Sequence, residues 1–393
     1  MTTRPPPAEL LLPDGAGRLR RYRLQGDPLP VVAPARPFTR IALAAAHVVP
    51  RRDRPVLPDA PCALDWDATL GFRRWLWDQG FGLAEAMDTA QRGQGLDWPT
   101  ALDLIGRTLA EARAHPLRPA VVCGAGTDHA APDSLAAVEA AYMAQMAAIE
   151  RLGGRIVVMA SRALPRLGAR RGDYERLYRR LIEAAAEPVI LHWLGAAFDP
   201  ALRGYWGATS VAQGMETVLG IIAAAPDKVA GIKLSLLDAG AECTLRARLP
   251  AGVRMFTGDD FNYPELIVGD GTHHSDALLG ILAAIAPAAR AALEALASGD
   301  RAGYDAAFAP TLPLARHLFG APTQYYKAGI AFQAWINGQQ PAFVMPMNLQ
   351  GCRDIGHYAE LFRLADRAGL LRDPDRACAR MRALCRVHGI EGG

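Results

Sequence analysis

Short apolar runs alternate with longer amphipathic stretches along most of this chain, and that rhythm restricts the folds open to it. Ile41–Ala46, Leu83–Met87, Pro119–Cys123, Arg155–Met159, Pro188–Trp193, Val229–Ser235 and Val253–Thr257 read as strands, with Thr272–Ser275 a short eighth. Helices are expected between them at Asp65–Gln79, Pro99–Ala114, Ser134–Leu152, Asp173–Ala186 and Val211–Ala225. In Ser134–Leu152, residues Leu135, Val138, Tyr142, Met146, Ile149 and Leu152 fall near one face, and Gly153-Gly154 stops the helix. Strands that read as continuous apolar runs belong to a parallel sheet covered by helices. Eight strand–helix units in roughly 240 residues is the size of a closed (β/α)₈ TIM barrel, an α/β fold. A doubly wound open sheet is the alternative, but no Gly-rich dinucleotide fingerprint follows the first strand.

The barrel is expected over residues 37–280. Residues 1–36, rich in Pro, Arg and Gly, read as an N-terminal arm with a short hairpin in Arg18–Leu24. Residues 281–393 read as a C-terminal helical appendage packed on the barrel. Of the 393 residues, 51% are hydrophobic, ample for a large core, and the net charge of +3 is spread without long blocks. A nucleic-acid partner, which needs a concentrated basic face, is not expected. Neither is a membrane span, since no apolar stretch approaches ~20 residues. The six cysteines form no CxxC pair, and no signal-peptide core is seen, so a reduced, cytoplasmic compartment is expected.

Of the 43 basic residues only three are lysines, Lys228, Lys233 and Lys327. Arginine keeps its proton in proteins, whereas a lysine amine gives it up once desolvation lowers its pKa, and is then a nucleophile. Lys233 lies within the apolar strand Val229–Ser235, where an amine is costly unless neutral or paired. Lys228 reads as a turn residue and Lys327 as a helix anchor. A structural ion pair is the competing reading of Lys233.

In barrels of this kind the active site lies at the C-terminal ends of the strands. That rim collects His47, Glu85, Asp88, Thr89, Thr127, Asp128, Ser161, Arg162, His192, Lys233, Ser235, Gly258, Asp259, Asp260, His273 and His274. Lys233 is the expected nucleophile. His192, one strand away, is the expected proton shuttle, because imidazole titrates near neutral pH. Asp88, Thr89, Arg162, Ser235, Gly258, Asp259 and His273 are the expected substrate-binding residues. A core histidine bonded to a backbone carbonyl is the competing reading of His192.

The segment Val229-Ala-Gly-Ile-Lys-Leu-Ser235 resembles the Schiff-base strand of the dihydrodipicolinate synthase and N-acetylneuraminate lyase superfamily. Thr257-Gly-Asp-Asp260 resembles its segment after the seventh strand. Ala297–Ala306, Leu312–Phe319 and Tyr326–Ala331 resemble its C-terminal helices. The match runs from about residue 40 to residue 385 and marks a divergent branch. The family's Gly-Thr-Thr-Gly-Glu carboxylate loop aligns with Asp88-Thr-Ala-Gln-Arg92, where only Thr89 is kept. Its strand-five tyrosine aligns with His192, and the tyrosine pair after strand four with Ser161-Arg162. Arg162 or Arg92 is a candidate to hold a carboxylate in place of the altered loop. The resemblance implies a class I (lysine Schiff-base) carbon–carbon lyase or aldolase acting on a 2-oxo acid or sugar-derived keto acid. It implies no cofactor, a small carbonyl compound as substrate, and a homodimer or homotetramer.

Two other readings compete. A metal-dependent barrel enzyme would gather His47, His192, His273, His274 and nearby carboxylates, although neighbouring residues on a strand face opposite ways and no HxH or HExxH occurs. A non-catalytic small-molecule-binding barrel would explain the lost tyrosine and threonine. It would not explain the new polar residues Asp88, Arg162 and His192 at one rim.

Overall fold

The computed structural model describes residues 9–390; residues 1–8 of the expected arm lie outside the described residues. Two strands, β1 (Glu9–Pro13) and β2 (Leu19–Arg23), pair antiparallel. Eight more follow: β3 (Ala42–Ala45), β4 (Gly82–Glu85), β5 (Val121–Ala125), β6 (Arg155–Val158), β7 (Val189–Leu194), β8 (Val229–Ser235), β9 (Arg254–Thr257) and β10 (Asp276–Leu279). These eight pair in parallel as a closed barrel in the order β10-β3-β4-β5-β6-β7-β8-β9. The expected TIM barrel is therefore the fold.

The physical cause is visible in the strands themselves. Every residue of β3, β5 and β7 is buried, as a parallel strand with both faces covered must be. Leu43, Ala45, Ala84, Val122, Val157, Ile190, Phe256 and Leu278 belong to one core cluster inside the barrel. Burial of each larger aliphatic or aromatic side chain is worth roughly 1.5–3 kcal/mol. Side chains alternate along a strand, so residues two beyond this layer also point inward, at the C-terminal end. Ile190 thereby aims His192, and Phe256 aims Gly258. The helices begin where the sequence supplies a capping oxygen: Asp97 accepts from the Thr100 N–H, Ser134 from Ala137, Ser210 from Gln213 and Asp238 from Ala241.

The eighth barrel strand is Asp276–Leu279 rather than Thr272–Ser275. Asp270 accepts from the N–H groups of Thr272 and His273, which folds that segment into a turn. The strand starts at Asp276, whose carboxylate accepts from Ile41 N at 2.7 Å and from Arg254 at 2.8 Å. The run Ala277-Leu278-Leu279 is too short to announce a strand beside the apolar helix Leu282–Ala297 that follows it.

The described residues form two compact units. One holds residues 38–46 and 80–282, including all eight barrel strands; the other holds residues 9–37, 47–79 and 283–390. The hairpin β1–β2 thus groups with the C-terminal helices. Asp366, in the helix Ile355–Arg367, accepts from Tyr22 Oη at 2.7 Å and from the N–H groups of Gln25 and Gly26 at 2.8 and 3.2 Å. No helix among the described residues is long and apolar enough to cross a membrane.

Candidate active site

Lys233 sits within β8, with His192 of β7 and Phe256 of β9 as its register partners. It is 8% exposed. Burial pushes the pKa of its amine down, while the charges of Asp88 and Asp260 oppose that shift. Ser235, two residues on, shares its face. Gly258 explains how the two fit together. A Cβ at position 258 would lie 2.1 Å from Ser235 Oγ and 2.9 Å from Lys233 Cε, so only glycine leaves room for both.

His192 is completely buried. Its Nε2 lies 3.3 Å from Ser235 Oγ and its Nδ1 3.8 Å from Asp88 Oδ2. Burial, and after it the Lys233 charge, holds its pKa well below the usual imidazole value, so the ring is neutral near pH 7. Asp88 opens the 3₁₀ turn Asp88–Ala90 that follows β4. Thr89, beside it, is buried in the same turn and lines no wall of the adjoining cavity.

That cavity, about 360 Å³, lies over the ends of β4 to β7 and is lined by Asp88, Thr127, Asp128, Ser161, Arg162 and Asp199 among others. Asp88 joins it to the Lys233 cluster. Thr127 Oγ1 and Ser161 Oγ are 2.7 Å apart, and Ser161 N donates to Tyr205 Oη, itself 2.8 Å from Tyr178 Oη. These buried tyrosines fix the floor. Arg162 lines the cavity with its Nε on Asp199 at 2.5 Å. Arg92, the other candidate anion ligand, lines the same cavity, but its nitrogens are engaged within the protein. It grips Asp128 with two nitrogens at 2.5 and 3.1 Å, and donates to Gln145 and to the carbonyls of Ala86 and Gly124. Its work is to hold the loop.

Two expected substrate ligands are placed elsewhere. Asp259 accepts from Phe261 N, Asn262 N and Asn262 Nδ2 at 2.9–3.0 Å, so its carboxylate closes the turn after β9. Its neighbour Asp260 is the one beside Lys233. It accepts from Ile281 N at 2.8 Å, and burial raises its pKa to about 7 against the pull of that N–H and the lysine charge. His273 precedes β10, at the opposite end of the barrel from Lys233, with a side chain 46% exposed. His274 flanks it there. In the other unit, His47 Nε2 is 2.7 Å from Gln340 Oε1. The histidines that a metal centre would need are therefore dispersed, and no group of three metal-ligating side chains occurs among the described residues.

Asp199 is not among the expected site residues, and Thr127 and Ser161, both expected on the rim, have no expected binding role and are not expected as a hydroxyl pair. The signal for the pair is position alone, since Thr127 and Ser161 follow the C-terminal ends of β5 and β6.

The closed eight-stranded parallel barrel is shared with solved structures of dihydrodipicolinate synthases. The enzyme from Thermotoga maritima is 16% identical, with a TM-score of 0.60 over 84% of this chain and 99% of that one. The Aquifex aeolicus enzyme is 13% identical, with a TM-score of 0.58 over 89% and 98%. A chloride-inhibited enzyme from Acinetobacter baumannii, complexed with pyruvate, is 18% identical, with a TM-score of 0.56 over 84% and 99%. The chain itself belongs to the family described as Protein of unknown function (DUF993), which matches residues 10–390. No curated protein matches the sequence.

Proposed function

We propose that this protein is a lysine Schiff-base carbon–carbon lyase acting on a 2-oxo acid or a sugar-derived keto acid. The observation that carries the reading is the position of Lys233: buried at the C-terminal end of a barrel strand, its amine pKa lowered, beside His192 and Ser235. A neutral amine attacks a ketone carbonyl, the resulting hydroxyl leaves as water, and the iminium draws electrons from the neighbouring carbon–carbon bond. His192, neutral and buried, serves as the proton shuttle. The cavity beside Asp88 receives the remainder of the substrate. Arg162 supplies a cation there, and the Thr127–Ser161 pair and Asp88 supply partners for hydroxyl groups.

Sodium borohydride reduction tests the reading. Protein incubated with pyruvate, and separately with other keto acids and keto sugars, is expected to gain a stable adduct mass on Lys233. Lys233→Arg is expected to gain none. Failure of every compound to trap on folded protein removes the Schiff-base mechanism.

A further inference from the structure

A buried imidazole that serves as a proton shuttle needs a group on each side of it, one to exchange protons with the substrate and one to stabilise the charged ring. Both are present here. On the inner side, Ser235 Oγ is 3.3 Å from His192 Nε2. The same hydroxyl and Lys233 Cε both crowd the space above Gly258, so the serine oxygen lies near the carbon that bears the lysine amine. On the outer side, His192 Nδ1 is buried with no hydrogen-bond partner, and the Asp88 carboxylate is 3.8 Å away. An unpaired buried ring nitrogen is costly, and catalytic hydrogen bonds that are long in the free enzyme tighten when substrate closes the site.

The turn that carries Asp88 is held under strain. Ala86 and Gln91, on either side of it, have φ of 51° and 64°, a region that side chains other than glycine rarely adopt. Arg92 pins this turn by donating to the Ala86 carbonyl and gripping Asp128. Strain of this kind persists where the surroundings over-determine it, and here it aims a carboxylate at His192.

We infer that Asp88, His192 and Ser235 form a three-membered proton relay ending at the Lys233 amine, with Ser235 the residue that exchanges the proton with substrate. The inference rests on the Schiff-base reading of Lys233. With pyruvate as the probe, Lys233 Nζ bonds to the carbonyl carbon and water leaves. A methyl C–H bond then breaks, and its electron pair becomes the enamine double bond as the iminium is neutralised. The proton goes to Ser235 Oγ as the serine's own proton passes to His192 Nε2, and the imidazolium so formed faces Asp88. Reversal returns a proton to carbon. In heavy water it returns a deuteron, so the relay is read out as loss of the pyruvate methyl proton signal.

The test compares the wild-type protein with Ser235→Ala, Ser235→Thr and Asp88→Asn. Methyl exchange is followed by NMR, and borohydride adducts with pyruvate and with dihydroxyacetone are mapped in parallel. In Ser235→Ala and Asp88→Asn the adduct on Lys233 is expected to persist while exchange slows on the order of a hundredfold. Ser235→Thr, which keeps the hydroxyl, is expected to recover most of the rate. Asp88→Asn keeps the test open should Ser235→Ala fail to fold. Exchange at the wild-type rate in a trapping-competent Ser235→Ala or Asp88→Asn protein overturns the relay and leaves the lysine chemistry standing. Loss of adduct together with exchange also overturns it, because the residue then shapes the amine rather than moving a proton. A folded wild-type protein that traps neither these probes nor any of the keto acids and keto sugars above overturns the Schiff-base reading, and the relay with it.

Discussion

At the scale of single residues, the helix Ala239–Arg246 that follows β8 holds a carboxyl group that is costly to ionise. Glu242 is 1% exposed, its Oε1 accepts from Ser275 Oγ at 2.7 Å, and its Oε2 has no partner. Burial raises its pKa to about 8, although the Ser275 and Thr257 hydroxyls pull it down. The folded protein therefore keeps this proton up to about pH 8, whereas the unfolded chain releases it near the ordinary value of 4.5. Between those two values the folded state binds more protons, so this group makes stability fall as pH rises, with the full loss above pH 8. Glu242→Gln is expected to remove that loss. Urea unfolding should show it more stable than wild type by on the order of 1–3 kcal/mol at pH 8.5, with little difference at pH 5. Equal differences at both pH values would show that the carboxyl does not titrate in this range. The proposed catalytic pair is easier to read from the chain than this group. Lys233 stands out as a cation in an apolar run, and the two-residue period of β7 carries His192 inward from Ile190. The choice between Asp259 and Asp260 was not legible, because it depends on which carboxylate the turn after β9 consumes.

At the scale of elements, the glycine that follows β9 determines whether β8 can present its lysine and serine together. Gly258→Ala is expected to keep the barrel but to push Ser235 Oγ and Lys233 Cε aside and to crowd the Leu234 carbonyl, since the new methyl would lie within 3 Å of all three. The borohydride adduct rate should drop at least tenfold, about 1.4 kcal/mol of barrier, with the far-ultraviolet spectrum unchanged. An unchanged trapping rate would mean that the two side chains can relax without leaving reactive positions. The same scale explains the misplaced eighth strand. Its start is set by Asp276, which links the N–H of Ile41 to the guanidinium of Arg254. Those partners are 235 and 22 positions away along the chain, beyond the reach of any local pattern.

At the scale of the whole molecule, the hairpin β1–β2 is held to the C-terminal helices by a buried carboxylate, by Arg363 and Arg382 donating to the carbonyls of Pro13 and Glu9, and by the Tyr22–Phe362 ring contact. Asp366, 2% exposed, receives Tyr22 Oη and two backbone N–H groups. Asp366→Ala is expected to cost roughly 2–4 kcal/mol locally, since it strands two backbone donors and a phenol. Limited proteolysis should then cut first within residues 9–30, and an unchanged cleavage pattern would count against the latch. The sequence by itself determined the strand–helix alternation, the barrel it implies, and the two side chains most central to its rim. Each of these follows from local periodicity or from the cost of burying a charge. Only the tertiary structure decided that Arg92 and Arg162 line one cavity, with Arg92 bound to Asp128 and two loop carbonyls, and that His273 lies at the far end of the barrel. It alone decided that Asp88, His192 and Ser235 fall in line beside Lys233. Those outcomes depend on distances between residues far apart in the chain, which barrel closure creates and no window of sequence contains.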